Sequence, residues 1–296
     1  MVFIKKVERG DKIYYYLVQS IRNGGKTSHR TIKRVTAEEA GDPGFIVRFM
    51  DENPWLNSKL QALIVAAGKS TRLYPLTKDM PKCLIQVGGE TIIARHIDIM
   101  QKNKVGDIIV VTGFGEAKLS EHIGNRGRCI QIYNPFFEVT GILASTWFGL
   151  KEILNDFIFS YSDIIYDADI LKGLIEYPAK CVIGVTEHSI SRDSEKVKIS
   201  GKRVTAISKD MSEFEADGEF IGIAKFTGSA VNAFRSTVDE LARENTFPEY
   251  DFINAIERLL LKGQKIAPYV IDQNRKWMDV DSLDRLEVAK KIFRLG

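Results

Sequence analysis

The chain has 296 residues, 44% hydrophobic and 27% charged, which suffices for a full core and argues against a disordered or fibrous class. Its formal charge of +3, from 42 basic and 39 acidic residues, is too balanced to announce a nucleic-acid or anionic-membrane partner. Three cysteines, far apart and odd in number (Cys83, Cys129, Cys181), argue against a disulfide framework or a CxxC metal site. With no apolar leader at the start and no run of about 18 apolar residues, a protein of the cytoplasm without membrane insertion is expected.

The first segment alternates β-rich runs with turn signals: Val2 to Val7, Ile13 to Ile21 and Thr31 to Val35. Asn23-Gly24-Gly25 suits a hairpin turn because these residues tolerate positive φ. A turn and short helix follow, and residues 1–58 are predicted to form a small β-rich N-terminal module with a linker near Asn53 to Lys59.

From Gln61 the rhythm changes to strands alternating with longer helical stretches, which predicts an α/β domain over 61–296. Its fold class is a Rossmann-like mixed, mostly parallel sheet flanked by helices. Ala62 to Ala67 is a continuous apolar run, as a strand buried on both faces requires. Thr91 to Lys104 has helical spacing, and Asp107 to Gly113 reads as a second buried strand. Lys118 to Ile123 is a short helix and Cys129 to Tyr133 a third strand. Leu143 to Leu154 reads as a helix, and Phe157 to Asp163 and Ala179 to Thr186 as fourth and fifth strands. Hairpin-like pieces between Val197 and Lys225 predict antiparallel additions. Phe247 to Leu261 and Ser282 to Arg294 read as closing helices.

The stretch after the first buried strand carries the most chemistry. Small residues at Ala66, Ala67 and Gly68 let backbone pass close to a ligand, and turning N–H groups there can cradle phosphate oxygens. Arg72 and Lys82 would supply positive charge, the guanidinium by gripping two oxygens and the ammonium as a point charge. An ordinary strand-to-helix turn is the alternative on the glycine alone, and the spacing is not that of a Walker loop.

The whole string LIVAAGKSTRLYPLTKDMPKCLIQVGGETII resembles the signature of the nucleotidyltransferases that activate sugar phosphates and phospho-alcohols. That pattern is an apolar strand, AAG, three residues, R-L, P-L-T and P-K-x-L. The resemblance implies that Ala66, Ala67, Gly68, Lys69, Ser70, Thr71 and Gly113 bind a nucleoside triphosphate, with Arg72 and Lys82 bracketing its phosphates as catalytic cations.

Asp163 closes the apolar run FIFSYSD, beside the crevice where α/β sheets bind ligands. Far along the chain, Trp277-Met278-Asp279-Val280-Asp281 holds two more carboxylates, on one face if the run is extended. Carboxylates from distant segments suit Mg²⁺, a hard ion that shares its shell with phosphates and water, although single aspartates are more often loop or cap residues. The family carries an aspartate after its fourth strand and another in a W-x-x-(I/V)-D segment. The resemblance therefore implies Asp163 and Asp281 as metal ligands, with Asp279 as a neighbour. No Ser/His/Asp or Cys/His constellation is evident, and His96, His122 and His188 read as structural or surface residues.

The later segments are most similar to the choline-phosphate and 2-aminoethylphosphonate cytidylyltransferases. Asn134 to Phe137, Ser145 to Leu150, Gly218 to Phe226, Glu249-Tyr250-Asp251 and Lys276 to Asp281 carry this likeness, which implies CTP as the favoured donor and a small phosphorylated acceptor. Trp147, Tyr250 and Trp277 could offer aromatic faces to an ammonium, with Glu249 or Asp251 adding charge, although such rings more often belong to core or rim. Where relatives often have Asn-Asn-Ile-x-Ser, this chain has Thr140 to Ser145, which leaves the acceptor open. Lys198 and Lys209 alternate with apolar residues. Lys209 is preferred for the acceptor phosphate because related inositol-phosphate cytidylyltransferases end a similar strand in I-x-K, against the alternative of a solvated strand face.

Outside the resemblance, Lys26, His29, Arg30, Lys33 and Arg34 form a basic run behind several tyrosines. A solvated face is the commoner meaning of such a run, so nucleic acid is not the expected partner. A sugar-1-phosphate nucleotidyltransferase using UTP or dTTP is the alternative enzyme. A non-catalytic regulatory or nucleic-acid-binding protein is the alternative of another class. A homo-oligomer is compatible with all of these readings.

Overall fold

The computed structural model describes residues 2–23, 26–124, 126, 128–188 and 190–293. Gly24 and Gly25 of the predicted hairpin turn, and Arg294 at the end of the last predicted helix, lie outside the described residues. The chain divides into two compact units, Met1–Leu56 and Asn57–Gly296. Among the described residues no helix is long and apolar enough to cross a membrane.

In the first unit, strands Val2–Arg9, Lys12–Asn23 and Lys26–Val35 form an antiparallel meander in chain order. Leu17, Val18 and Val35 are its buried apolar residues among those described, Leu17 and Val18 adjacent and so on opposite faces of the sheet. The segment expected to hold one short helix contains two, Ala37–Gly41 and Phe45–Glu52. Thr36 starts the first, accepting from the Glu39 amide at 3.1 Å while the Glu39 carboxylate accepts from the Thr36 amide at 2.8 Å. The basic run near Lys33 is a strand, so its members alternate between two faces. Lys33 lies 3.0 Å from Glu39 Oε1 and 5.3 Å from the ring centres of Phe45 and Phe49, whereas Arg34 lies over Tyr14 at 4.6 Å.

The second unit is built on a nine-stranded sheet. Its parallel centre runs Phe157–Tyr161, Gln61–Ala66, Ile108–Thr112, Cys129–Tyr133 in spatial order. The first of these in sequence, Gln61–Ala66, is buried at every position. Its side chains alternate between two cores: Leu63 and Val65 join Ile109, Val111 and Phe159 on one face, while Ala62 and Ile64 join Ile108, Val110 and Ile158 on the other. Truncating Ile64 to alanine would cost about 2–5 kcal/mol, since the packed neighbours on both sides cannot collapse into the void.

Beyond Phe157–Tyr161 the sheet turns antiparallel through Gly218–Phe226, Lys196–Ser200 and Arg203–Ser208. Cys181–Thr186, the fifth strand in chain order, is antiparallel to Gly218–Phe226 and parallel to Ala267–Val270. Helices Ala168–Glu176 and Ser229–Leu241 come in addition to those read from the sequence. Buried Lys225 caps the first, donating to the Ile175 and Tyr177 carbonyls at 2.9 and 2.5 Å. The predicted stretch from Phe247 is a turn followed by helix Phe252–Leu261, and the helix expected over Leu143 to Leu154 ends at Leu150.

This order creates a crevice. From Gln61–Ala66 the chain builds outward in one direction to Ile108–Thr112 and Cys129–Tyr133, then returns to add Phe157–Tyr161 on the opposite side. The connections leave the carboxyl ends of Gln61–Ala66 and Phe157–Tyr161 in different directions, which opens a gap above them.

Candidate active site

A cleft of about 640 Å³ opens at that switch point, lined by Val65 to Gly68, Ser70, Arg72, Lys82, Tyr161 to Ile164 and Trp277 among others. The loop after the first strand is exposed at Gly68 and turns through Ser70 in the left-handed region, φ 51°. Thr77 Oγ1 donates to the Ser70 carbonyl at 2.7 Å and holds the turn from below.

Residues remote in sequence meet here as charge pairs. Lys82 Nζ lies 2.8 Å from Asp163 Oδ2, with 8% of the lysine side chain exposed. Arg72 Nη1 lies 2.9 Å from Asp281 Oδ2. A short two-stranded ladder, Ile164–Tyr166 against Trp277–Asp279, brings the late carboxylates to Asp163. The Val280 amide donates to the Asp163 carbonyl at 2.8 Å, so the extended run ends at this point and Asp281 passes alongside Asp163's backbone.

Arg285 completes the group, pairing with Asp279 and reaching Asp281 Oδ1 at 3.7 Å. It was not among the residues read from the sequence. The signal was present, because Ser282 caps helix Leu283–Ile292 and places Arg285 in its first turn, facing back over Asp279 to Asp281. Burial pushes the Asp279 carboxyl upward, helped by Asp281 and Asp163 and opposed by Arg285.

The other wall of the cleft carries a second cluster. Tyr161 Oη is 3.1 Å from both carboxyl oxygens of Glu195, Lys209 Nζ is 3.7 Å from Glu195 Oε1, and Lys209 also pairs with Asp251. Burial pushes the Glu195 carboxyl up to about 7, opposed by the Lys209 ammonium and reinforced by Asp251. Glu219, also on the cleft, is pushed up to about 7 chiefly by burial, against a hydrogen bond from Ser194.

The remaining sequence-derived residues divide. Gly113 does not line the cleft but backs the Gly68 loop: a Cβ there would stand 2.7 Å from the Ala67 carbonyl and from Phe137. Lys69 points to Glu138 at 2.6 Å, and Thr71 is exposed at the start of a short turn. Lys198 is exposed on its strand, away from the cleft.

The aromatic cage is not assembled. Trp277 lines the cleft and donates from Nε1 to the Ile221 carbonyl at 2.9 Å. Trp147 instead packs on the core, donates to Asp239 at 2.8 Å and has Lys151 Nζ 3.9 Å from its ring centre. Tyr250 donates to Glu244 Oε2 at 2.6 Å, and its carbonyl accepts from the Leu143 amide at 3.0 Å. That contact needs Gly141, where a Cβ would stand 2.4 Å from the Tyr250 carbonyl oxygen. Glu249 is exposed outside the cleft, and Asp251 reaches it only through Lys209.

The histidines take no part in the cleft. His96 is fully buried, donates from Nε2 to the Ile164 carbonyl at 2.6 Å and is lowered to about 4 by burial. Burial likewise pushes the Cys83 thiol in the cleft wall up to about 12, so it stays protonated.

The arrangement offers a small-residue loop with two flanking cations at one end, oxygen donors beside them, and a second charged cluster opposite. Such a site can hold a polyphosphate and present another phosphorylated molecule to it.

Comparison with known proteins agrees. The chain is 25% identical over 252 residues to a CTP:phosphoglutamine cytidylyltransferase of Campylobacter jejuni, covering 77% of this chain and 98% of the relative. It is 27% identical over 220 residues to a UTP–glucose-1-phosphate uridylyltransferase of Haloferax volcanii, covering 72% and 88%. A solved CTP:phosphocholine cytidylyltransferase from Streptococcus pneumoniae shares the fold, with a TM-score of 0.64 at 17% identity over 79% of this chain and 99% of that one. Residues 62–243, more than half the chain and spanning the Gly68 loop, Asp163 and Lys209, match the MobA-like NTP transferase domain, and the chain belongs to that family of nucleotidyltransferases.

Proposed function

We propose that this protein transfers the cytidylyl group of CTP to a small phosphorylated alcohol or phosphonate, releasing pyrophosphate, with Mg²⁺ as cofactor. The observation that carries this reading is the meeting, at the switch point of the sheet, of the Gly68 loop with the Lys82–Asp163 and Arg72–Asp281 pairs. We assign the activity to residues 61–296, with 1–58 as an attached module.

The donor set fits magnesium. Asp163 and Asp281 offer hard oxygens from two segments, and among the described residues no group of three acidic, histidine or cysteine side chains stands ready to cage an ion. Mg²⁺ usually takes one or two carboxylates and completes its shell with water and substrate phosphates, so two carboxylates beside a phosphate loop suit it. Bound there, it would neutralise polyphosphate charge.

The protein's own groups do the rest. Backbone N–H groups around Gly68 cradle the triphosphate, and Arg72 leaves Asp281 to grip the departing pyrophosphate. Lys82, held by Asp163, meets the charge that develops at the α-phosphorus. An oxygen of the acceptor's phosphate or phosphonate forms the new bond to that phosphorus as the bond to pyrophosphate breaks, so no side-chain nucleophile is needed. Lys209, poised between Glu195 and Asp251, would take the acceptor's anionic group. The cleft is lined by both clusters, which lets donor and acceptor be held together and saves the entropy of their encounter.

CTP is favoured because the Campylobacter relative, matched over 98% of its length, uses it. The Haloferax relative supports a second reading, transfer from UTP or dTTP to a sugar 1-phosphate. Incubation with each nucleoside triphosphate, Mg²⁺ and a panel of phospho-alcohols, phosphonates and sugar phosphates separates the two. Pyrophosphate should appear fastest with CTP and a non-sugar acceptor. Faster release with UTP or dTTP and a sugar phosphate selects the second reading, and no release with any pair refutes both.

A further inference from the structure

The N-terminal unit carries all of the protein's net charge. Up to Leu56 there are ten basic and seven acidic residues, and from Asn57 onward thirty-two of each. The family match begins only at residue 62, and the Campylobacter relative is covered over 98% of its length by 77% of this chain. The family match thus lies wholly outside this unit.

The meander sorts that charge by face. Residues opposite one another in an antiparallel pair share a face. The registers Lys5 with Tyr16 and Tyr16 with Arg34 therefore place these three in one row across all the strands. Period-two alternation adds Phe3 and Arg9 from the first strand and Lys12 and Tyr14 from the second, while His29 joins opposite Ser20. Lys5, Arg9, Lys12, His29 and Arg34 are exposed, and Phe3, Tyr14 and Tyr16 are half-buried.

No acidic residue of the sheet lies on this face. Glu8 lies on the opposite one, where it pairs with Lys6 at 2.7 Å, and Asp11 is in the turn. The other acids belong to the helices and their flanks, and the helix rings Phe45 and Phe49 lie with Lys33 against the opposite face. The cationic face also holds its rings in place, with Arg34 over Tyr14 at 4.6 Å and Phe3 edge-on to His29 at 5.4 Å.

We propose that this face binds single-stranded nucleic acid. Four full positive charges, with Asp11 of the turn between Arg9 and Lys12 as the nearby carboxylate, match a phosphate backbone, and tyrosines set between them on the sheet offer stacking platforms that unpaired bases can reach and duplexed bases cannot. The opposite face carries cations too, but there Lys6 is paired with Glu8 and Lys33 with Glu39; a row of exposed cations with rings between them and no sheet acid beside them is what separates this surface from an ordinary solvated one.

The test is fluorescence anisotropy of the full-length protein with a labelled mixed-sequence 20-nucleotide DNA strand. Contacts from four cations predict a loss of roughly 50-fold in affinity between 50 and 200 mM salt, using a single-strand slope of about −0.7 per phosphate contact. Lys5→Glu with Arg34→Glu should weaken binding at least tenfold and flatten the slope. Tyr16→Leu should weaken it without changing the slope. Unchanged melting temperatures report that both variants fold. Absence of saturable binding at 50 mM salt, binding that survives the double charge reversal, or tighter binding to the same sequence as duplex or to phosphatidylglycerol vesicles would each overturn the proposal.

Discussion

Replacing Lys82 by methionine separates a structural from a catalytic role for the most buried cation of the cleft. The substitution keeps the apolar stem and removes only the ammonium, so it opens little void. What it leaves is Asp163 without its partner at 2.8 Å. Removing one member of a fully buried pair costs about 3–5 kcal/mol, but Asp163 is 34% exposed and water can solvate it. A loss of about 1–2 kcal/mol follows, equivalent to a fall of roughly 2–8 °C in melting temperature. The catalytic effect should be larger. Loss of one preorganised donor aimed at developing charge costs about 10²- to 10³-fold in kcat, or roughly 3–4 kcal/mol. The assay is coupled pyrophosphate release at saturating CTP and the best acceptor of the panel, beside thermal unfolding of the same preparation. A kcat within threefold of the parent, accompanied by the expected fall in melting temperature, would show that Lys82 serves only as a counter-ion.

Three further outcomes test other parts of the site. Glu195→Gln should stabilise the protein at pH 8 and leave it unchanged at pH 4. The raised folded value of about 7 means that folding retains a proton the unfolded chain releases above its ordinary value of 4.5, so native stability falls as pH rises through that window. The gain is on the order of 1–3 kcal/mol, and equal melting-temperature shifts at the two pH values would contradict it. Trp147→Phe should lower stability by about 1 kcal/mol through loss of the bond to Asp239 while leaving the acceptor KM unchanged. A raised KM would restore Trp147 to the acceptor site. Chelation should stop turnover, and Asp281→Asn should raise the Mg²⁺ concentration for half-maximal rate about tenfold with little change in fold. Full activity in chelator would remove the metal from the reaction.

The centre of the fold was legible because its physics is local. A strand buried on both faces must be a nearly continuous apolar run, and Ala62 to Ala67, Ile108 to Val111 and Phe157 to Phe159 are such runs. The Gly68 loop was legible for the same reason, since strand, small residues and cations fall within about twenty positions. The strand Cys181–Thr186 reads from sequence as one more buried run, but its partners are what make it antiparallel to one neighbour and parallel to the other. Direction is a property of the pairing, and six buried residues do not record it. The aromatic residues differ: Trp147 and Tyr250 are rings of the right type that do not line the cleft, and Lys151 already stands over the Trp147 ring.

The lysines of the KVKIS strand show where local reading stops. Alternation singles out Lys198 as a candidate facing residue, and it is exposed on the strand, whereas Lys196 two positions earlier is 1% exposed. Both obey the same alternation, so period alone cannot tell them apart. The difference comes from what encloses Lys196. Its ammonium donates to the carbonyls of Arg192, Ser194 and Lys209 at 2.6, 3.2 and 2.8 Å. Three acceptors are what a buried ammonium needs to offset its lost hydration, and all three are main-chain oxygens that leave no mark in the residue pattern. The contact fastens the loop that carries Glu195 to the strand end that carries Lys209, and so fixes the 3.7 Å approach between those two side chains. The Glu195–Lys209 end of the cleft therefore depends on a lysine that does not line it. Glu195 was invisible in the sequence for the same reason: its partners Tyr161 and Lys209 lie 34 residues before it and 14 after, joined to it only once the sheet has formed.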